Sequence, residues 1–373
     1  MNESVLDKNF KFNDILSCPE ELEWHAYDES MFDLYGVFYD HANQEFLRLP
    51  REVSSATSPG VDWLANQTSG GRLRFKTDSK IVAIRAVEGL CQFKPHIPIT
   101  GQMGFSLYTD GKYERTFAPD LTAIENRKDE MFSFSTYFET IFPKPNGKFY
   151  DYILHFPLYS SVKKLYIGVI KGSKFTTPEK YTYDLPVLYY GSSITQGACA
   201  SHPGNEYQGH ISRALDADYI NLGFAGKAKG EQVMAEYIRS VPHSVFVMDY
   251  DNNAPTKEHL IATHYAFYKT YREVCKDTPV IFVSRPNWWV SSPIKNFVRQ
   301  PSHGVKIIRE SYKRALAEGD KNVYFLNGST FFGKDKFACT VESIHPNDLG
   351  FYKMAQKIKP VVEKALRSIK DGH

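Results

Sequence analysis

The hydrophobic pattern of this chain changes near residue 175, and the change restricts the folds open to it. Before that point, apolar residues mostly alternate with polar ones. In Arg72-Leu73-Arg74-Phe75-Lys76-Thr77, Leu73 and Phe75 face one way and the basic residues face the other. Period-two alternation predicts half-buried β-strands. Because Gly, Pro and Asp separate these strands and no long helix interrupts them, we expect residues 1–178 to form an all-β antiparallel sandwich, jelly-roll-like in kind.

One hairpin stands out in this half. Residues 103–108 and 113–117 are two apolar-rich runs that flank Asp110-Gly111. An Asp-Gly pair between two such runs predicts a tight β-turn, because both residues tolerate positive φ.

A polar segment with one proline, residues 171–184, is the predicted linker, and residues 179–373 form the second predicted domain. There, short apolar runs alternate with helical stretches. We predict strands near residues 186–190, 219–222, 244–250, 279–284 and 322–327. We predict helices near residues 205–217, 230–240, 257–276, 303–318 and 348–369. Five β-α units predict a mostly parallel sheet covered on both faces.

The composition excludes several classes of protein. The 373 residues suffice for about two domains, and a net charge of +2 gives no reason to expect a nucleic-acid partner. Five scattered cysteines without C-x-x-C spacing argue against a disulfide framework and for a reducing, cytoplasmic location. The N-terminus has no signal-peptide pattern, and no apolar run is long enough to span a membrane.

Ligands of parallel α/β sheets bind beyond the carboxyl ends of the strands, so the residues that follow each strand matter most. Gly191-Ser192-Ser193 follows the first predicted strand, and a loop containing Gly223 and Gly226 follows the second. Asn252-Asn253 follows the third strand, and Glu342-Ser343-Ile344-His345 lies beyond the fifth. A hydroxyl, close-approach glycines, an amide, and an imidazole with a carboxylate three residues before it are the parts needed for acyl transfer.

The four segments GSSIT, NLGFAG, DYDNNA and ESIHPND, in this order, resemble the conserved blocks of the SGNH hydrolases, also called GDSL-type esterases. The resemblance implies a flavodoxin-like three-layer α/β/α domain with a five-stranded parallel sheet. It implies Ser193 as nucleophile, His345 as base and Glu342 as acid. It also implies an oxyanion hole from Ser193, Gly226 and Asn253. The first half resembles, more loosely, the β-sandwich that precedes this hydrolase domain in one bacterial branch.

The chain departs from the family pattern at two positions. Ser192 stands where the family has Asp, at a position expected to support the turn. Glu342 stands where the family has the Asp of D-x-x-H, and its extra methylene requires the carboxylate to fold back toward His345. A backbone carbonyl is the alternative partner for the imidazole.

Each segment also has a structural interpretation. GSSIT fits a capped strand-to-helix turn, Asn252-Asn253 a plain turn, and His345 the entry to a helix. Trp288 and Trp289 are candidates for a substrate pocket or for packing. Arg285 is a candidate for substrate contact or a structural ion pair, and Lys227 for an anionic substrate or a solvated loop. Cys199 is interpreted as inert, and the other histidines show no metal-ligand spacing.

The sequence therefore predicts a serine esterase without metal or cofactor. Hydrolysis of an ester follows from the predicted site residues, whereas a preference for acetyl esters of carbohydrates is implied by the resemblance and by the 14% aromatic content. Two alternatives stay open: a carbohydrate-binding protein without turnover, and an acyltransferase to a sugar acceptor. The partners expected are a small-molecule or oligosaccharide ester, with homo-oligomerisation left open.

Overall fold

The computed structural model describes residues 18–91, 93–119, 132–139, 147–286 and 302–370. Within residues 18–176 the elements are mainly antiparallel strands. The strands of this half are β1 Leu22–Ala26, β2 Asp33–Tyr35, β3 Phe38–Asp40, β4 Glu45–Leu47, β5 Arg72–Thr77, β6 Ile81–Cys91, β7 Phe105–Thr109, β8 Lys112–Phe117, β9 Phe132–Glu139, β10 Tyr150–His155, β11 Ser160–Ile170 and β12 Phe175–Thr176.

Two antiparallel sheets of this half face each other across one hydrophobic core. One sheet has the order β1-β11-β6-β9, and the other has the order β12-β5-β10-β7-β8 with β2 on β5. Leu73 and Phe75 of β5 are fully buried in the core that also takes side chains from β6, β7, β10 and β11. The sandwich expected from period-two alternation is therefore present.

The short turns of the sandwich follow local sequence rules. The predicted hairpin forms between β7 and β8, with Phe105 paired to Phe117. Asp110 and Gly111 adopt φ of 48° and 76° at the turn, as a tight hairpin requires. The described residues of this half also form short helices that the sequence did not predict: α1 Arg51–Thr57, α2 Pro59–Leu64 and α3 Ile99–Met103.

The second half contains the parallel sheet. Its five strands are β13 Val187–Gly191, β14 Tyr219–Gly223, β15 Val245–Asp249, β16 Val280–Val283 and β17 Val323–Leu326. They are ordered β14-β13-β15-β16-β17, which is the 2-1-3-4-5 order of flavodoxin-like folds. The strand positions predicted from sequence are confirmed to within two residues.

Helices cover both faces of this sheet. They are α4 Ser193–Gln196, α5 Tyr207–Leu215, α6 Gln232–Ser240, α7 Lys257–Arg272, α8 Ser302–Ala317 and α9 Asp348–Lys370. Alternate residues of β13 enter different cores: Tyr189 packs with α5 and α9, whereas Tyr190 packs with α6 and α7. The three-layer α/β/α architecture is thus confirmed. Among the described residues, no helix combines the length and apolar character needed to cross a membrane.

The two halves are joined by buried polar contacts. Arg72 of β5 is buried, and its guanidinium donates to the Asp218 carboxylate and to the Tyr219 carbonyl oxygen at 2.8 Å. Arg48 donates to the Gly223 carbonyl oxygen at 2.6 Å. The basic face of β5 therefore meets the second half of the chain.

The predicted linker, residues 171–184, is partly structured, because β12 pairs with β5. The boundary at 178/179 stays a prediction.

Candidate active site

Ser193 lies at a sharp strand-to-helix turn. β13 ends at Gly191, and Ser192 caps α4 by accepting a hydrogen bond from the Ile194 N–H at 3.2 Å. Gly197 closes the one-turn helix with φ of 101°, a conformation that favours glycine. Ser193 is 9% exposed, at the first position of the helix. The local sequence thus presents one hydroxyl at the carboxyl edge of the sheet.

The structure brings Ser193 and His345 into contact. The Ser193 Oγ lies 2.8 Å from the His345 Nε2, although the residues are far apart in sequence. On the other side of the ring, Nδ1 lies 2.8 Å from Oε1 of Glu342. Because a base needs a hydroxyl within about 2.6–3.2 Å to remove its proton, the geometry suits activation of the serine.

The longer side chain of Glu342 reaches the imidazole by folding back. Its Oε1 also accepts the His345 backbone N–H at 2.7 Å. Ser343, which lies between Glu342 and His345, adopts a φ of 69°. Thr340 and Pro346, on either side of this segment, form an antiparallel β-bridge. The carboxylate, rather than a backbone carbonyl, therefore contacts Nδ1. Burial opposes ionisation of Glu342, but the hydrogen bonds from His345 outweigh it and lower the pKa to about 2.

The loops after β13, β14 and β15 meet at the same edge because their strands are in register. Gly191 pairs with both Gly223 and Asp249. The Asn253 side chain donates to the Phe224 carbonyl oxygen at 3.0 Å, which places its amide beside the loop of Gly226. All predicted oxyanion donors therefore lie on loops from adjacent strand ends.

Two backbone amides of this edge find no acceptor among the residues that the structure describes. Within the described ranges, neither the Ser193 N–H nor the Gly226 N–H donates a hydrogen bond. Gly226 has φ of 70°, and no atom lies within 4 Å of the place a Cβ would occupy. An amide beside open space can meet a ligand oxygen, whereas a buried unpaired amide would be costly.

Two aspartates, Asp249 and Asp251, accept hydrogen bonds close to these loops. Asp249, buried at the end of β15, accepts from the hydroxyls of Thr195 and Tyr207, each at 3.3 Å. Burial, followed by the charge of Asp251, raises its pKa well above the usual range. Asp251 accepts the Arg285 backbone N–H at 2.9 Å, and burial raises the pKa of Asp251 to about 6. Arg285 therefore lies beside the loop that carries Asn253.

The structure describes some, but not all, of the other residues predicted to contact substrate. Lys227 is exposed, and its side-chain carbons lie against Gly60 of α2. Trp288 and Trp289 lie outside the described residues. Substrate contact by these residues and by Arg285 stays a prediction.

Sequence reasoning missed His96, which lies beside His345, and could not place Cys199. His96, from the loop before α3, lies with its ring centroid 5.2 Å from that of His345. Cys199 is 4% exposed, and its thiol donates to the His96 carbonyl oxygen at 3.3 Å. Burial, then the charge of Glu342, raises the thiol pKa to about 12. The only sequence signal was the closeness of Cys199 to Ser193, and none pointed to His96.

The first half of the chain also contacts α4, the helix that begins at Ser193. Tyr159 donates to the Ser193 carbonyl oxygen at 3.3 Å, and Ser69 donates to the Gln196 carbonyl oxygen at 2.6 Å. The buried Gln196 side chain donates to the Leu158 carbonyl oxygen at 3.1 Å and accepts the Ala225 N–H at 2.9 Å. Gln196 thus links the sandwich, α4 and the loop of Gly226.

Comparisons with protein families find a match for each half of the chain. Residues 184–363 match the GDSL-like lipase/acylhydrolase family, and residues 22–175 match the N-terminus of SGNH hydrolase-type esterases. The second half of the chain belongs to the GDSL-like lipase/acylhydrolase family. The resemblance inferred from the four sequence blocks is confirmed. No curated protein sequence is significantly similar to this GDSL-like protein.

Solved structures resemble this GDSL-like protein over most of its length. A protein described as a GDSL-like lipase from Bacteroides ovatus is 25% identical, with TM-score 0.77, 93% of this chain covered and 98% of that one. A salicylyl-acyltransferase from a tetracycline biosynthetic pathway is 21% identical, with TM-score 0.71 and coverage of 90% and 95%. An acetyl xylan esterase from Butyrivibrio proteoclasticus is 12% identical, with TM-score 0.55 and coverage of 92% and 98%. The last two likenesses show the shared fold alone.

Proposed function

We propose that this GDSL-like protein is a serine esterase that hydrolyses short-chain esters, with acetyl esters of carbohydrates as the preferred class. The observation that carries the proposal is the continuous contact path from Ser193 Oγ to His345 Nε2, and from Nδ1 to Glu342, with each contact 2.8 Å long. A serine hydroxyl is a weak nucleophile at neutral pH and needs such a base. The ionised carboxylate holds the ring tautomer and stabilises the imidazolium that forms.

The first half of the reaction acylates the serine. The Ser193 oxygen attacks the ester carbonyl carbon while its proton moves to Nε2 of His345. The carbonyl electron pair moves onto oxygen, where the Ser193 and Gly226 N–H groups and the Asn253 amide donate to it. Each such donor contributes about 10²–10³ in rate, or roughly 3–4 kcal/mol. The bond to the alcohol then breaks, and His345 gives its proton to the leaving alcohol.

The second half returns the enzyme to its starting state. Water attacks the acyl-serine carbonyl carbon, and His345 takes the water proton. The same three donors stabilise the second tetrahedral intermediate. Breaking the bond to Ser193 releases the carboxylic acid, and the proton returns to the serine oxygen. Each step uses groups of the chain and water.

The preference for acetylated carbohydrates has two supports. The acetyl xylan esterase shares both the sandwich and the hydrolase half, since 92% of this chain is covered in that comparison. The sandwich also borders the site directly, through His96 and through the contact of Tyr159 with Ser193. A substrate that binds beside Ser193 is therefore close to the first half of the chain. A panel of acyl esters, from acetyl to long-chain and from sugar to lipid alcohols, tests this preference.

A fluorophosphonate probe and hydrolysis of p-nitrophenyl acetate test the central claim. Wild-type protein is expected to be labelled at Ser193 and to hydrolyse the ester, and Ser193→Ala is expected to do neither. Ser240→Ala, which removes an exposed hydroxyl at the end of α6, is the matched control and should behave as wild type. Wild-type protein that neither labels nor hydrolyses would favour the alternative of a carbohydrate-binding protein without turnover.

Acyl transfer to a sugar is the second candidate, and the likeness to the salicylyl-acyltransferase favours it. Both reactions pass through the same acyl-serine and differ in whether water or a hydroxyl acceptor attacks it. Product analysis with an acyl donor and increasing sugar acceptor separates them. Free acid as the main product at high acceptor concentration supports hydrolysis, whereas acylated acceptor as the main product supports transfer.

A further inference from the structure

A second set of donor atoms surrounds the imidazole of His345. One ring nitrogen each of His96 and His345, together with the Cys199 sulfur, all lie within 4.8 Å of one another. Ligands of a single tetrahedral zinc ion sit about 3.3–3.7 Å apart, given Zn–S near 2.3 Å and Zn–N near 2.0–2.1 Å. The three groups therefore need to close by no more than about 1.5 Å to share one ion.

The fold already places Cys199 next to the loop that carries His96. Cys199 is buried with φ of 71°, so a residue with a side chain occupies the left-handed region there. Its thiol donates a hydrogen bond to the His96 carbonyl oxygen at 3.3 Å, which connects the loop of His96 to the segment that follows α4. The loop of His96 and the segment after α4 are therefore neighbours in the fold, and the thiol proton of this hydrogen bond is the one that is released when the sulfur binds a metal.

We propose that His96, Cys199 and His345 form a binding site for a thiophilic divalent cation, Zn²⁺ being the best match, and that occupation of the site switches off the esterase. One sulfur and two imidazole nitrogens suit zinc and do not suit Mg²⁺ or Ca²⁺, which prefer oxygen ligands. Three protein ligands leave a fourth position for water. On binding, the thiol loses its proton to solvent and the sulfur becomes a thiolate ligand.

Inhibition follows from the bonds that His345 already makes. Its Nε2 lies 2.8 Å from Ser193 Oγ, and its Nδ1 lies 2.8 Å from Glu342. A metal on Nε2 removes the base from the serine, and a metal on Nδ1 displaces the carboxylate. Coordination through either nitrogen therefore breaks one contact of the proposed catalytic path. This consequence rests on the proposed function, whereas metal binding itself does not.

Direct binding is tested with Co²⁺ as a spectroscopic probe and with Zn²⁺ calorimetry, both on full-length Ser193→Ala protein. A thiolate-to-cobalt charge-transfer band is expected, and zinc should displace the cobalt. Adding Cys199→Ser should abolish the band and weaken zinc binding by about 100-fold or more, since one of three ligands is lost. His96→Gln should weaken zinc similarly and serves as second variant if Cys199→Ser does not fold. Cys275→Ser, on a half-buried cysteine elsewhere, is the matched control.

The switch is tested with p-nitrophenyl acetate, each variant being compared with its own metal-free rate. Zinc should inhibit wild type and Cys275→Ser, and EDTA should restore the rate. The inhibitory zinc concentration should rise about 100-fold in Cys199→Ser and His96→Gln. Three results would each overturn the proposal. They are inhibition of Cys199→Ser at the zinc concentration that inhibits wild type, activation of wild type by zinc, and absence of the cobalt band. If wild type has no esterase activity, the binding experiment alone decides the site.

Discussion

Glu342 accepts two hydrogen bonds from His345, one from the ring and one from the backbone N–H of the same residue. The distances are 2.8 Å to Nδ1 and 2.7 Å to the amide nitrogen. The carboxylate thereby fixes both the position of the loop and the orientation of the imidazole. A glutamate at this position thus makes the contact that the family pattern assigns to a shorter acid.

We predict that Glu342→Gln lowers kcat for p-nitrophenyl acetate by about 10²–10⁴ with little change in KM. The neutral amide no longer stabilises the imidazolium and presents an N–H₂ group to the ring, which disturbs the tautomer. Steady-state kinetics of the purified variant measure the effect. Glu236→Gln, an exposed carboxylate on α6, is the control and should match wild type. A wild-type kcat in Glu342→Gln would remove the carboxylate from the mechanism.

Glu342 should also contribute to the pH dependence of stability. Its pKa is about 2 in the folded protein against an ordinary value of 4.5. Because the folded pKa is depressed, ionised Glu342 stabilises the fold above about pH 4.5, and this contribution disappears as the pH falls toward about 2.

We therefore expect the difference in unfolding free energy between wild type and Glu342→Gln to shrink as the pH falls from about 4.5 toward about 2. Urea unfolding at a series of pH values measures it. The same series on Glu236→Gln provides the baseline. A difference that stays unchanged down to about pH 2.5 would contradict the depressed pKa.

Asn253→Ala should lower kcat and kcat/KM equally, by about 10²–10³. The amide meets the oxygen after negative charge develops on it, so its loss weakens the transition state and leaves substrate binding largely intact. Kinetics with two esters of different alcohols measure the effect. Asn43→Ala removes an exposed amide that bonds to Asp40 in the first half and is the matched control. A change in KM alone would mean that Asn253 binds substrate rather than the oxyanion.

Much of the second half is predictable because its signals are local. Apolar runs of four or five residues predict the buried parallel strands, and the residues after each strand end must meet once the strands are parallel. The turn at Ser193 and its contact with His345 follow from that reasoning. The strand order does not, since it is set by packing between distant segments.

The contacts between the halves were beyond local reasoning. Alternation predicts that Arg72 points away from the sandwich core, but it cannot show that Asp218 and Tyr219 cover it. The sequence around Cys199 does not reveal the environment of its thiol. His96 approaches His345 from the first half of the chain, and no local pattern indicates this contact. The linker prediction overlooked that Phe175–Thr176 adds a strand to the sandwich.

The last prediction concerns Gln196, which touches no proposed reacting atom. Its fully buried side chain connects the Leu158 carbonyl of the sandwich to the Ala225 N–H beside Gly226. Gln196→Ala leaves the buried Leu158 carbonyl and the half-buried Ala225 N–H without these partners, and a buried group that loses its partner costs roughly 1–3 kcal/mol. We expect lower stability and, because Gly226 loses its support, a kcat reduced by about tenfold or more.

Urea unfolding and steady-state kinetics on the same preparation separate the two effects. The matched control is Gln232→Ala, which removes an exposed amide at the start of α6 and should change neither quantity. Reduced stability with wild-type kcat would show that the loop of Gly226 keeps its geometry without this link. Reduced kcat at a temperature well below the unfolding transition would show that the Gln196 side chain supports the reaction itself, because the variant is then fully folded while it is assayed.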